Sequence, residues 1–313
     1  MTAAILSSEQ RWQYKLSLDL KIRRSAGVAF QDFFSTVLEK VYGADFIRIR
    51  AMGSLGDKGC DGYRQSCGQV YQCYGKLEDG GVNAATIAKK IADDYALAAG
   101  HLTSLMKEWH FAHNLVDGLP VTVLQQIEAL KKPGIHIIGL VGPPWLEEQV
   151  LALDPKFIGD LLGPAATAQD TRNLQIAEVR DVVDALMKTL DETADGGATI
   201  ATVPVDKLAF NKLPNHWVQL ISNASQNGSI VRRYFEHHHD VEAGARVAAE
   251  FSTRYRALKL EGLTPGFIMD QLYEQLTGIG VATAARQVAA HSLLAYLFDA
   301  CDIFEDHPSK VTA

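Results

Sequence analysis

Gly56-Asp-Lys-Gly-Cys-Asp-Gly62, followed shortly by Val70-Tyr-Gln-Cys-Tyr-Gly-Lys76, is the stretch that decides how the first half of this chain folds. The glycines of the first segment mark a turn-rich crossing into a short strand at Asp61 to Gln65. Gly68 then makes a turn, and Gln69 to Tyr74 forms the next strand. Two strands of one hairpin can set Asp61 near the start of one and Gln72 on its partner, on the same face. A carboxylate with a carbonyl oxygen opposite suits a hard, oxygen-seeking cation such as Mg²⁺ or Mn²⁺. Such an ion polarises a phosphodiester and lowers the pKa of an attacking water. The glycines let the backbone approach a bulky anion closely. An Asp-Gly pair is equally what a plain turn needs, and from these residues alone both readings stand.

Outward from the hairpin, hydrophobic spacing supplies the neighbouring elements. A polar helical lead-in runs from Ser8 to Leu20, and Val28, Phe30, Phe33, Phe34, Val37, Leu38 and Val41 recur at helical spacing up to Gly43. Phe46, Ile47 and Ile49, interleaved with Arg48 and Arg50, read as a strand. Asn83 to Ala99 is a second helix and Glu108 to His113 a further strand, giving the order helix, three strands, helix, strand. The alternation continues with a helix at Val121 to Leu130. Ile135 to Val141 is a short apolar run typical of a buried parallel strand, and a helix over Trp145 to Leu162 breaks at Asp154-Pro155. Gly163-Pro164 ends this part, Asn173 to Leu190 is amphipathic, and Asp195-Gly-Gly-Ala reads as a joint. From Val203 onward the pattern is almost wholly helical. The expected organisation is therefore an α/β domain over 1–165, a helical linker over 166–202 and an all-α domain over 203–313.

Composition sets the outer bounds. The 313 residues are 47% hydrophobic and 21% charged, an ordinary globular balance with room for two domains. No run approaches a membrane helix, and the first residues lack the apolar core of a signal peptide, so a cytoplasmic location and no membrane partner are expected. The net charge of −7 argues against coating nucleic acid by bulk attraction. Residues 1–110, however, hold 14 Lys/Arg against 12 Asp/Glu, whereas the remainder holds 16 against 25. An anionic polymer would have to meet the first third. Cys60, Cys67 and Cys73 crowd together but contain no CxxC pair, which speaks against a zinc cluster, and a reducing compartment speaks against disulfides. Glu236-His-His-His-Asp240 looks metal-binding, yet adjacent helical histidines point about 100° apart, so a solvated or partner-facing stretch is the simpler reading. The very apolar helix Ala289 to Phe298 needs burial on both sides, in a core or in a subunit interface of a homo-oligomer.

The order αβββαβ, the Gly-x-x-Gly-x-Asp-Gly turn and the later Gln-x-Tyr strand resemble the restriction-endonuclease-like PD-(D/E)XK fold in its Mrr-like branch. The resemblance implies an α/β nuclease domain in which Asp61 binds metal and Gln72 fills the second acidic position. The family's lysine two residues later is replaced here by Tyr74. The lysine orients water and stabilises the pentavalent phosphate, so Lys76, Lys89 and Lys90 are candidates to supply that charge from elsewhere. Glu39 or Asp57 would complete the metal shell. Arg48, Arg50, Lys58, Arg64 and Tyr74 are the candidate nucleic-acid contacts. Trp109-His-Phe-Ala-His-Asn114 and the helix and strand after it resemble nuclease-domain proteins of bacterial defence operons. Ala295-Tyr-Leu-Phe-Asp-Ala-Cys-Asp-Ile-Phe-Glu305 resembles the C-terminal domain of ABC-three-component systems, which are Lamassu-like. That resemblance implies an anti-phage effector that cuts DNA when released by an SMC/Rad50-like ATPase, with a small middle component as further partner. No GxxxxGK[ST] motif is present, so any ATP hydrolysis belongs to a partner. The alternative function is a nuclease-fold module, impaired by Tyr74, that grips nucleic acid or a partner subunit. A hydrolase acting on free nucleotides is the third.

Overall fold

The computed structural model describes residues 6–50, 58–77, 83–188, 207, 210–300 and 303–304. The chain divides into two compact units, one formed by residues 18–154 and the other by residues 1–17 with 155–313.

The first unit holds a five-stranded sheet in the order β1-β2-β3-β4-β5, comprising Phe46–Arg48, Gly62–Arg64, Gln69–Tyr74, Glu108–His113 and Ile137–Val141. The first three strands form an antiparallel meander, and β4 and β5 add in parallel. α1 (Ser8–Arg23) and α2 (Val28–Tyr42) precede β1. α3 (Ala84–His101) is the crossover between β3 and β4, and α4 (Val121–Lys131) the one between β4 and β5. Parallel neighbours need such crossovers, whereas the meander needs only turns. α5 (Pro143–Leu151) closes the unit.

Period-two alternation along β3 sorts the two faces of the sheet. Val70 joins Ile87 and Ile91 of α3, Val123 and Ile127 of α4, and Trp109 and Phe111 of β4 in one core. Tyr71 faces the other way, edge-on to Phe34 of α2 at 5.4 Å and to Phe46 at 6.1 Å. Gln72, like Val70, therefore belongs to the α3 face. The apolar run at 135–141 is less buried than a central parallel strand, because β5 is the last strand of the sheet and Ile137 is 63% exposed. The strand also begins two residues later than its apolar run, at Ile137.

In the second unit, α6 (Pro155–Leu162), α7 (Ala168–Arg172) and α8 (Ile176–Met187) are followed by α9 (Asn215–Ala224), α10 (Gly228–Glu236), α11 (Ala243–Leu260), α12 (Pro265–Thr277) and α13 (Ala284–Asp299). Thr167 and Asp170 cap α7 reciprocally, and Thr283 caps α13 through the Arg286 N–H. Residues 287–298 of α13 are all buried, with α8, α9, α10 and α12 against them. The apolar final helix is thus the centre of this unit's core. The division between units falls at 154/155, where the sequence suggests 165. The expected helical linker at 166–202 carries α7 and, inside the helix expected over 173–190, α8, whose Val179, Val182, Val183 and Leu186 are buried, so these helices belong to the second unit. The joint at 195–198 lies outside the described residues. Among the described residues, no helix is long and apolar enough to cross a membrane.

Candidate functional site

The site begins where one strand outruns its neighbour. The β2–β3 ladder stops at Gly62↔Tyr71, while β3 continues to Tyr74 alongside β4. At that point the Asp61 N–H donates to the Tyr71 carbonyl at 2.8 Å, although the ladder sets Gly62 opposite Tyr71. Two residues thus face one, a β-bulge that ends the pairing and re-aims Asp61. The Asp61 carboxylate takes the next open donor on β3, with Oδ2 accepting from the Cys73 N–H at 2.7 Å. Asp61 is 5% exposed and sits against the Gln72–Cys73 peptide.

Gln72, 4% exposed, has a buried Oε1 with no hydrogen-bond partner among the described residues. A buried carbonyl oxygen left unpaired costs about 1–3 kcal/mol. A buried carboxylate and, on the adjoining strand, a buried carbonyl oxygen without a partner among the described residues are hard donors of the kind Mg²⁺ or Mn²⁺ takes, with water or phosphate oxygens as the remaining ligands. Among the described residues, no group of three or more His, Cys, Asp or Glu converges, at this hairpin or elsewhere, so any cation here would rest on two protein donors. Burial and the Asp61 charge hold the Cys73 thiol well above its ordinary pKa, so it stays protonated.

The glycines of the turn have specific tasks. Gly62 is a strand residue, and a Cβ there would lie 2.6 Å from the Phe46 ring. Gly59 has φ +72°, and a Cβ would meet the Asp94 carbonyl oxygen of α3 at 2.2 Å. Gly59→Ala is accordingly expected to destabilise the α/β unit by about 3 kcal/mol, combining left-handed strain with a backbone clash. Urea denaturation measures this, and a loss under about 1 kcal/mol would show that the turn can move off α3.

The remaining candidates separate. Lys90 pairs with Asp94 at 2.8 Å and lies near Tyr74, whose phenol it acidifies against the larger, opposing effect of burial. Lys89 pairs with Asp93 on the exposed side of α3, away from the sheet. Glu39 is taken by Arg48, Oε1 to Nε at 2.9 Å and Oε2 to Nη2 at 3.0 Å, and Asp32 holds the same guanidinium at 2.9 Å. This cluster stands on the α2 side of the sheet, opposite Gln72, so Glu39 is not brought to Asp61 and Gln72. Arg50 lies 3.6 Å from Asp32, and Arg64 pairs with Asp45 at 2.8 Å over the Tyr42 ring. Lys58 adopts a left-handed backbone at φ 58° beside Gly59. Tyr74 stacks on Phe111 at 5.8 Å, which makes it a packing residue of the α3 face. Asp57 lies outside the described residues. Of the three adjacent histidines, His237 bonds to the Arg233 carbonyl and His238 to the Asp240 backbone, and His239 packs against the His238 ring.

Two neighbours of the site carried no motif. His113, paired in register with Tyr74, is buried, and its Nδ1 accepts from the Leu115 N–H at 3.3 Å. Burial lowers its pKa to about 4. Asn114 follows it, with every amide group engaged by backbone. Only the run Trp109 to Asn114 itself hinted at them.

No curated protein and no solved structure matches the chain. Residues 177–305 do match the family model for C-terminal domain 10 of the ABC-three component (ABC-3C) systems, so the helical half of the chain is similar to a domain of those systems.

Proposed function

We propose that the chain is a metal-dependent DNA endonuclease, the effector of an anti-phage ABC-three-component system. Its first unit would be a restriction-endonuclease-like, Mrr-like PD-(D/E)XK domain. The observations that carry the reading are the Asp61 carboxylate held at the Gln72–Cys73 peptide and a buried Gln72 Oε1 that lacks a partner among the described residues. The αβββαβ order of the unit supports it, as does the similarity of residues 177–305 to an ABC-three-component domain.

Asp61 and Gln72 would hold the cation, which when bound would polarise a scissile phosphate and make water a better nucleophile. The bulge fixes Asp61 so that its charge is in place before substrate arrives. Lys76, which follows Gln72 and Tyr74 on the same alternation, would supply positive charge at the phosphate, with Lys90 on α3 as the second cation. Phosphate and base contacts would come from the loop at Lys58 and from those arginines that exchange a carboxylate for DNA. Arg48, Arg50 and Arg64 all carry acidic partners in this state, so DNA must displace those partners. An SMC/Rad50-like ATPase and a middle component would provide the trigger.

The second reading is a non-cleaving module of the same fold, favoured by Tyr74 stacking on Phe111 where the family has its lysine. Incubating the full chain with supercoiled plasmid and Mg²⁺ or Mn²⁺, alone and with the ATPase and middle component, separates the two. Nicking or linearisation that EDTA abolishes is expected. DNA retention without cleavage under every condition would establish the binding module instead.

A further inference from the structure

We propose that Asn114 is the positioning residue for Lys76, an assignment that rests on the nuclease reading above. β4 ends at His113, and the Asn114 N–H makes one more bond along the ladder, to the Tyr74 carbonyl at 3.3 Å. Beyond it the Asn114 side chain takes over the role of a neighbouring strand. Its Oδ1 accepts from the Lys76 N–H at 2.9 Å, and its Nδ2 donates to the Lys76 carbonyl at 2.9 Å. The same Nδ2 donates to the Ser25 carbonyl at 2.7 Å and the Ile22 carbonyl at 3.2 Å, where α1 passes into α2. Asn114 is 3% exposed, so these partners satisfy a group that burial would otherwise penalise.

One residue earlier, Gly75 accepts from the Gly27 N–H at 3.0 Å, and a Cβ on Gly75 would come within 2.4 Å of Phe30. The chain past Tyr74 is therefore held on both sides in the line of β3. Period-two alternation then carries Lys76 onto the face of Gln72 and Tyr74, two residues beyond the family's lysine position. Asparagine suits the task because it accepts one N–H and donates to carbonyls within a single short side chain. Aspartate lacks the donor and would set a charge against three carbonyl oxygens. Leucine would strand the Lys76 backbone.

The test is carried out on the full chain with its partner components, combining hydrogen exchange with a double-mutant cycle. In Asn114→Ala, exchange of the Lys76 amide is expected to accelerate at least about tenfold, while the Gln72 and Tyr74 amides stay protected. The Mn²⁺-dependent cleavage rate is expected to fall about 10²-fold, the scale of a reacting group misplaced by an ångström. Plasmid affinity measured in Ca²⁺ should change little. Lys76→Ala should lose at least as much rate, and the double variant no more than Lys76→Ala alone. Additive losses, or unaltered Lys76 exchange, would overturn the assignment and leave Asn114 a clamp of the fold. Should Asn114→Ala not fold, Asn114→Ser enters the same cycle and is judged in the same way. A wild type that neither binds nor cuts DNA with its partners present would remove the nuclease reading and this assignment with it.

Discussion

Lowering the pH from about 6.5 to about 5 is expected to destabilise each half of the protein by about 2 kcal/mol, through one buried histidine in each. Burial lowers the pKa of His113 to about 4 in the α/β unit and that of His291 to about 3 in the helical unit. An unfolded histidine titrates near 6.5, so below that pH the unfolded chain takes up a proton that the folded chain refuses. Stability therefore falls as the pH drops, and each histidine's share stops growing only at its folded pKa. The geometry agrees in both cases. Charging His113 requires protonating Nδ1, which already accepts the Leu115 N–H at 3.3 Å. His291 stacks on Tyr273 at 5.0 Å with Trp217 edge-on at 6.0 Å, and its Nε2 has no partner among the described residues. Urea denaturation at pH 7.5, 6.5, 5.5 and 5.0 measures the slope. His113→Gln and His291→Gln should each remove about one proton of uptake, from different halves. Equal stability at pH 7 and pH 5 would show that both imidazoles find solvent in the folded state.

On the proposed nuclease reading, replacing Asp61 should separate its structural bond to the Cys73 N–H from the catalytic role assigned to its charge. Asp61→Ala removes the acceptor of the Cys73 N–H and strands a donor at the open edge of β3, a loss of about 1–3 kcal/mol. Asp61→Asn keeps an oxygen for that N–H and loses only the charge. Cleavage should fall by on the order of 10³-fold in both, the scale of losing a principal electrostatic stabiliser, while only the alanine variant melts earlier. Plasmid cleavage and thermal melts on the same preparations test this. If Asp61→Asn cuts like wild type, residue 61 is a cap for the ladder and nothing more.

The frame of the α/β unit was readable because hydrophobic period switches between 3.6 and 2 at each boundary, as at Val28–Tyr42 and Gln69–Tyr74. That Asp61 and Gln72 lie on the two arms of one hairpin was legible because Gly68 marks its turn. The bulge was not, since it depends on how far β3 outruns β2. Arg48 looked available for phosphate, and its partners Asp32 and Glu39 come from the helix laid over it, a contact that strand alternation does not reveal. The task of Gly62 was likewise hidden, because what excludes a Cβ is the Phe46 ring on β1. Asn114 makes sense only once the α1–α2 connection and residues 75–76 are known to pass on either side of it. Thr167-Ala-Gln-Asp170, by contrast, spells a capping box, and reading it would have placed α7 inside the segment taken for a linker.

Manganese titration of the full chain, followed by electron paramagnetic resonance, probes the site without waiting for a trigger or a substrate. One Mn²⁺ per chain in the wild type, lost in Asp61→Asn and weakened in Gln72→Leu while both variants stay folded, is the expected outcome. A wild type that leaves all its Mn²⁺ free, or that binds it equally well without the residue 61 carboxylate, would contradict a cation site at this hairpin.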